Sequence, residues 1–322
     1  YKDVGAKLGT TFSKDDILSF LKVLNYDVQI ENDVIKATPP HYRNDILIQA
    51  DVVEEIARLY GLNRIENQKL PVVQKGHLSK QQKRLRTLRH SLAHKGLNEV
   101  MTYSLVDEKN VFDYGKIGNK VSVLKPMSED KKTLRQSLIN GLLQTVKYNQ
   151  ARQMDDVLIF EIGHLFSESE EIDALGIALS GDYNKNLWTN QKLESDFYVL
   201  KGLMDDVFKP FDVALEYEKT DAYQNFHPYR QAKIIYKKKT VGVIGEIHPK
   251  VLKDLDIEKT VVCELYLEHL LKDEQKEMYQ HISKYPSITR DLVVLVDDVI
   301  QAQTLLDLIW QTARKYITAL EI

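Results

Sequence analysis

Apolar positions in the first seventy residues change their period three times. From Thr11, the stretch "TFSKDDILSFLKVLNYDV" repeats Ile17, Leu21 and Leu24 at helical spacing, behind Ser13 as an N-cap with Asp16 three positions on. The next run, "VQIENDVIKATPP", alternates and predicts a short hairpin turning at Asn32-Asp33. Pro39 and Pro40 then impose an extended segment. From about Ala50 to Tyr60 the helical period returns, with Val52, Val53, Ile56, Ala57 and Leu59 as its buried side. Gly61 is suited to end that helix. Helix, hairpin and helix within residues 1–70 predict a small winged-helix-like domain.

The polar stretch "ENQKLPVVQKGHLSKQQ" is expected to link this unit to the next. Beyond it, "QQKRLRTLRHSLAHKGLNEVMTYSLV" predicts a basic amphipathic helix, a stop at Gly96 and a strand. A long helix follows through "SLINGLLQTVKYNQ", then strands at "DVLIFEIGHLFS" and "ALGIALSG". A helix is expected at "FYVLKGLMDDVFKPF", a hairpin at "QAKIIYKKKTVGVIGEIHP" and a strand at "KTVVCELYLEHLL". This mixture predicts an α+β core over residues 71–280, built on a large, mostly antiparallel sheet with flanking helices. In residues 281–322, "RDLVVLVDD" reads as a strand and "IQAQTLLDLIWQTARKY" as a helix. "ITALEI" reads as the start of another strand, so a truncated ferredoxin-like βαβ unit is expected.

Composition narrows the function classes. The 322 residues are 43% hydrophobic and 28% charged, enough for buried cores, and a net charge of −3 gives no global nucleic-acid signature. A single cysteine, Cys263, excludes an internal disulfide framework and fits a reducing, cytoplasmic setting. No apolar run approaches the roughly 20 residues of a membrane span. The chain opens on Tyr1 and closes on a strand-like run, so it is expected to be a fragment.

Among candidate chemistries, the acids come first. Asp51, Glu54 and Glu55 stand at i, i+3 and i+4 of the second predicted helix, which puts three carboxylates on one face, and Asp45 lies on the extended approach. Clustered carboxylate oxygens suit Mg²⁺, which keeps several waters and takes one or two protein ligands. Acids near a helix N-terminus also simply favour its dipole. Spacing leaves both readings open. Cys263, inside "TVVCELYL", reads as a buried strand residue, and His227 and His248, each before proline, read as turn or strand-end residues. No GxxxxGK[ST] or strand-following GxGxxG is present. The basic run from Ser79 to Lys95 reads as a solvated helix face before a phosphate contact.

The motif Pro40, Tyr42-Arg43, Asp45-Ile46, Asp51, Glu54-Glu55-Ile56-Ala57-Arg58 and Tyr60-Gly61 resembles the B-five domain of the bacterial phenylalanyl-tRNA synthetase β subunit. The resemblance continues through "GLNEVMTYSL", "PMSEDKKTLRQSLINGLL", "FEIGHLF", "DFYVLKG", "FHPYRQAKI", "VGVIGEIHP" and "SKYPSITRDLVVLVD", in order along nearly the whole chain. It implies a class II synthetase-like core that does not itself catalyse, and the start of a ferredoxin-like anticodon-binding domain. The implied partner is an α subunit, in an (αβ)₂ tetramer that joins phenylalanine to tRNA(Phe) with ATP at a site in α. It also implies Mg²⁺ on Asp45, Asp51, Glu54 and Glu55, shared with that subunit. The chain departs from the family pattern at Lys125, where Asn is usual, and at Tyr229, where His-Pro-Gly is expected. Glycine permits φ > 0 and tyrosine does not, so a different turn is expected there. Two rivals are a stand-alone winged-helix nucleic-acid-binding protein and a metal-dependent hydrolase centred on the four acids. The first needs a basic recognition helix and the second a base or nucleophile near the acids.

Overall fold

The computed structural model describes residues 2–321 apart from 33, 68–74, 111–116, 272–278, 280, 281 and 283. It divides into two compact units, Tyr1–Lys80 and Gln81–Ile322.

The first unit holds α1 (Lys2–Leu8), α2 (Lys14–Val23), β1 (Asp27–Glu31), β2 (Val34–Thr38) and α3 (Gln49–Tyr60). Its second helix starts as the spacing predicts. Ser13 and Asp16 form a reciprocal capping box, each side chain accepting the other's backbone N–H. The hairpin pairs Asp27 with Thr38 and Glu31 with Val34. Asn32, at φ 44°, opens its turn, while Asp33 lies outside the described residues. Ile17 and Leu21 pack with Val53, Ile56 and Phe12 into a small core. Phe12 meets Tyr60 edge-on at 4.9 Å. Gly61, at φ 95°, ends α3. Of the expected linker, residues 68–74 lie outside the described residues.

The second unit is built on a seven-stranded sheet. Its helices and strands are α4 (Lys80–His94), β3 (Asn98–Glu99), β4 (Leu105–Val106), β5 (Thr133–Leu134), α5 (Ile139–Gln150), β6 (Val157–Phe166) and β7 (Glu171–Ser180). They continue with β8 (Asp182–Asn186), β9 (Gln191–Glu194), α6 (Phe197–Phe208), β10 (Glu216–Lys219), β11 (Phe226–Tyr236) and β12 (Lys239–Ile247). The last are α7 (Pro249–Leu255), β13 (Thr260–Tyr266) and α8 (Ala302–Ala313). The sheet order is β10-β11-β12-β13-β7-β6-β3, antiparallel throughout except where β3 meets β6, which makes the chain α+β.

Each face of the sheet carries its own helices. Leu175, Ile177 and Leu179 of β7 point to one face and pack with Leu88 and Leu92 of α4 and Leu200 and Met204 of α6. Ala174 and Ala178 point to the other, under Leu138, Leu142 and Val146 at and within α5. Between them sits Gly176. A Cβ there would lie 2.8 Å from Leu142 Cδ1 and 2.9 Å from Leu138 Cβ, so glycine permits the close approach of α5.

The C-terminal expectations need correction. The helix forms as α8, but among the described residues neither "RDLVVLVDD" nor "ITALEI" is a strand. A strand needs a neighbour for its backbone groups, and Leu292 through Val296 stand exposed without one. Tyr229 is also resolved: it lies within β11 without a positive φ, so a strand replaces the expected turn.

Gly176→Val is expected to lever α5 off the sheet and destabilise the second unit by about 1–3 kcal/mol, read as a lowered urea midpoint.

Candidate functional site

The four acids do not share one role. Arg43 sets the arrangement, because its guanidinium donates to Asp45 Oδ1 and Oδ2 at 2.9 and 2.6 Å and to Glu55 Oε1 at 3.0 Å. Arg58 donates to the other oxygen, Glu55 Oε2, at 2.5 Å. Glu55 is consequently buried, and the pattern that made it one of three acids on an open face is corrected. Hydrogen bonding to Arg43 lowers the Asp45 carboxyl to about 2, and the Arg43 and Arg58 bonds lower that of Glu55. Asp51 serves α3 itself: its Oδ2 accepts from Leu47 N and Ile48 N at 2.8 and 2.9 Å, binding the chain that leads into the helix. Glu54 faces solvent.

This donor set is all oxygen, which suits a hard cation. Among the described residues, however, no three acids or histidines are grouped so as to hold one, because Arg43 stands between Asp45 and Glu55. Beside the set, the hydroxyl of Tyr26 is buried without a hydrogen-bond partner. The charges of Arg43, Glu55, Asp45 and Asp51 all act on it.

In the second unit, several charged and polar groups are buried on the sheet face that α5 covers. Glu161 of β6, Gly176 of β7 and Glu264 of β13 stand side by side across the sheet on the α5 face. Glu161 Oε1 takes Arg135 Nη1 at 2.6 Å and its Oε2 takes Thr102 Oγ1 at 2.7 Å, with the ion pair almost wholly buried. Removing one partner from such a pair costs about 3–5 kcal/mol. Glu264 Oε2 accepts from Ser137 Oγ at 2.9 Å and Leu138 N at 2.6 Å, while its Oε1 has no partner. Burial pushes this carboxyl up from 4.5 to about 7, against those hydrogen bonds. Sequence reasoning passed over all three groups. The available signal was a carboxylate in the middle of an apolar strand, as in "IFEIG" and "VVCELYL".

The remaining candidates are structural. Cys263 is fully buried, its Sγ 3.6 Å from Met204 Sδ, and burial raises its thiol far above reactivity. His227 and His248 each accept a backbone N–H two residues on, His248 as the cap of α7. The basic helix α4 buries Leu88 and Leu92; its Arg89 pairs with Glu99 at 2.8 Å, and Lys95, just past its end, pairs with Asp206. Lys125 is exposed in a loop.

A groove of about 520 Å³ opens beside α5, lined by Met101, Tyr103, Leu143, Thr145, Tyr148 and Leu255 among others. Met101 is 92% exposed, Tyr103 71% and Tyr148 58%. Its floor is tied to the buried pair through Thr102, whose Oγ1 would sit 2.4 Å from a Cβ at Gly141 of α5.

The phenylalanyl tRNA synthetase beta chain CLM domain model matches residues 68–267, and the tRNA synthetase B5 domain model matches residues 1–62. The chain belongs to the phenylalanyl-tRNA synthetase β-chain family. It is 36% identical over 327 aligned residues to the phenylalanine–tRNA ligase beta subunit of Bacillus subtilis (strain 168), covering 98% of this chain and 40% of that protein. The corresponding subunit of Staphylococcus aureus (strain MSSA476) is 35% identical over 317 residues, 95% of this chain and 39% of that protein. That of Onion yellows phytoplasma (strain OY-M) is 32% identical over 303 residues, 91% and 37% respectively. The chain thus spans about two fifths of the length of these relatives. Among the described residues no helix is long and apolar enough to cross a membrane.

A buried carboxyl raised from 4.5 to about 7 holds its proton in the folded state after the unfolded chain has lost it. Its contribution is therefore complete below about pH 4.5 and declines until about pH 7. Urea midpoints across that range should show this decline in the parent chain, and Glu264→Gln should flatten it.

Proposed function

We propose that this chain is the non-catalytic β-subunit portion of a phenylalanine–tRNA ligase, serving assembly with an α subunit in an (αβ)₂ tetramer and support of tRNA(Phe). ATP-dependent aminoacylation then belongs to the α subunit, in a cytoplasmic enzyme. The observation that carries the absence of chemistry here is the closure of both sheet faces. One face is filled by α4 and α6, and α5 lies directly on Gly176 across the other. Arg135 is paired with Glu161, and Glu264 holds the start of α5, so these buried groups are engaged in holding the fold.

The groove at Met101, Tyr103 and Tyr148 supports the assembly role. Large apolar side chains exposed together beside a rigid helix are the usual form of an interface core. Mg²⁺ belongs to the same proposal, with Asp45, Asp51, Glu54 and Glu55 as the residues that would hold it. A bound ion would supply positive charge to carboxylates of which two, Asp45 and Glu55, are paired with Arg43 in this structure. The nucleic-acid-reader alternative fares worse, because α3 carries Asp51, Glu54 and Glu55 where a recognition helix needs cations. The hydrolase alternative is weakened by the commitment of Asp45, Asp51 and Glu55 to internal hydrogen bonds.

Mixing the chain with a matched α subunit should yield a complex by size-exclusion chromatography with light scattering. Met101→Asp with Tyr148→Asp should weaken it at least roughly tenfold while leaving the circular dichroism unchanged, since both side chains are exposed. A parent chain that forms no complex would overturn the assembly role.

A further inference from the structure

Strands β8 and β9 pair apart from the seven-stranded sheet, as a ribbon of two strands. Such a ribbon gains little stability from its own ladder, so its side chains are expected to support it. Here they do the opposite. The loop is held in shape by Asn186, whose Oδ1 accepts from Trp188 N and Thr189 N at 3.0 and 3.2 Å, and Asn190 turns the chain back at φ 52°. The loop so fixed leaves Leu187 84% and Trp188 97% exposed. Among the described residues neither packs into a core cluster. Next to the loop, the register sets Lys185 directly opposite Lys192. Like charges so placed weaken a strand pair. Asp182 meets Lys192 at 3.1 Å, and among the described residues no acid pairs with Lys185. From Tyr183 to Leu193 the ribbon carries no acidic residue. An uncovered indole and two facing ammonium groups both work against the hairpin alone. One kind of ligand would offset both, a flat aromatic ring that carries phosphate.

We propose that the β8–β9 hairpin is a contact for an unpaired RNA nucleotide, with the Trp188 indole stacking on the base and Lys185 and Lys192 meeting backbone phosphates. Stacking on an indole accepts any base, since each offers a π face, and the lysines add a salt-sensitive attraction that does not depend on sequence. With the whole chain at −3, attraction for RNA has to come from local sites such as this one. The proposal rests on the support of tRNA(Phe) put forward above and names one place of contact. A protein partner with an acidic, apolar surface is the competing occupant, and the same variants separate the two.

The 322-residue chain carries two tryptophans, Trp188 and Trp310, so a Trp310→Phe background assigns the indole fluorescence to Trp188. A single-stranded oligoribonucleotide of about 12 nucleotides, at low salt, should quench that fluorescence on binding. In the parent chain, Trp188→Ala should weaken binding of the labelled oligonucleotide by roughly tenfold, read by fluorescence anisotropy. Lys185→Gln with Lys192→Gln should also weaken it and flatten the slope of log affinity against log salt by roughly 1.4. The same double variant should melt no lower than the parent, because it removes the facing charges. Absence of Trp188 quenching, or equal binding by the parent and both variants, overturns the contact. So does a Trp188→Ala chain that binds the oligonucleotide as the parent does but fails to assemble with an α subunit, which would mark the tip as a protein anchor. Competition by tRNA(Phe) is scored separately. If the oligonucleotide quenches Trp188 and tRNA(Phe) does not displace it, the tRNA reading fails while the contact stands.

Discussion

The second unit depends on how the first turn of α5 is fastened to the sheet. Glu264, on the central strand β13, accepts from Ser137 Oγ and from Leu138 N, a backbone donor left open at the start of the helix. This places Leu138 and Leu142 over Gly176, the one position in β7 without a side chain to oppose them. Everything on that face follows from the contact. Ala174 and Ala178 stay small beneath α5, Val146 closes the far end, and Arg135 is left to pair with Glu161 at the near end. Here a carboxylate acts as a structural fastener.

Much of this architecture is readable in the chain itself. The Ser13–Asp16 capping box, the stops at Gly61 and Gly96 and the hairpin of β11 and β12 rest on local chemistry within a few residues. Tertiary partners defeat such reading. Glu55 stands with Asp51 and Glu54 on the helical wheel, yet Arg43, twelve residues back, buries it. "RDLVVLVDD" has the composition of a strand, but among the described residues no neighbouring strand pairs with it, and composition cannot provide one. Tyr229 illustrates the opposite error, where a turn inferred from a motif is replaced by extended backbone within a long strand. Spacing singled out the four acids and the resemblance implied Mg²⁺ on them, but neither could have revealed that Asp51 is engaged by Leu47 and Ile48.

The two units solve the burial of charge differently. In the second, Arg135 and Glu161 are sealed beneath α5 with Thr102 completing their hydrogen bonds, and neither can leave without disrupting the packing above. In the first, Arg43 and Asp45 sit at a rim, where water can take over either partner's bonds. Sealed pairs define a single geometry, whereas rim pairs can be exchanged. The second unit therefore seals its ion pair in the core, while the first leaves its pair at the surface.

The exposed run from Leu292 to Val296 has a practical consequence. Five consecutive β-branched or leucine residues carry no charge, and among the described residues their backbone groups take part in no strand ladder. Such a segment accepts any extended strand of suitable register, including the same segment of another molecule. As concentration rises, this stretch can therefore act as an adhesive strip between copies of the chain.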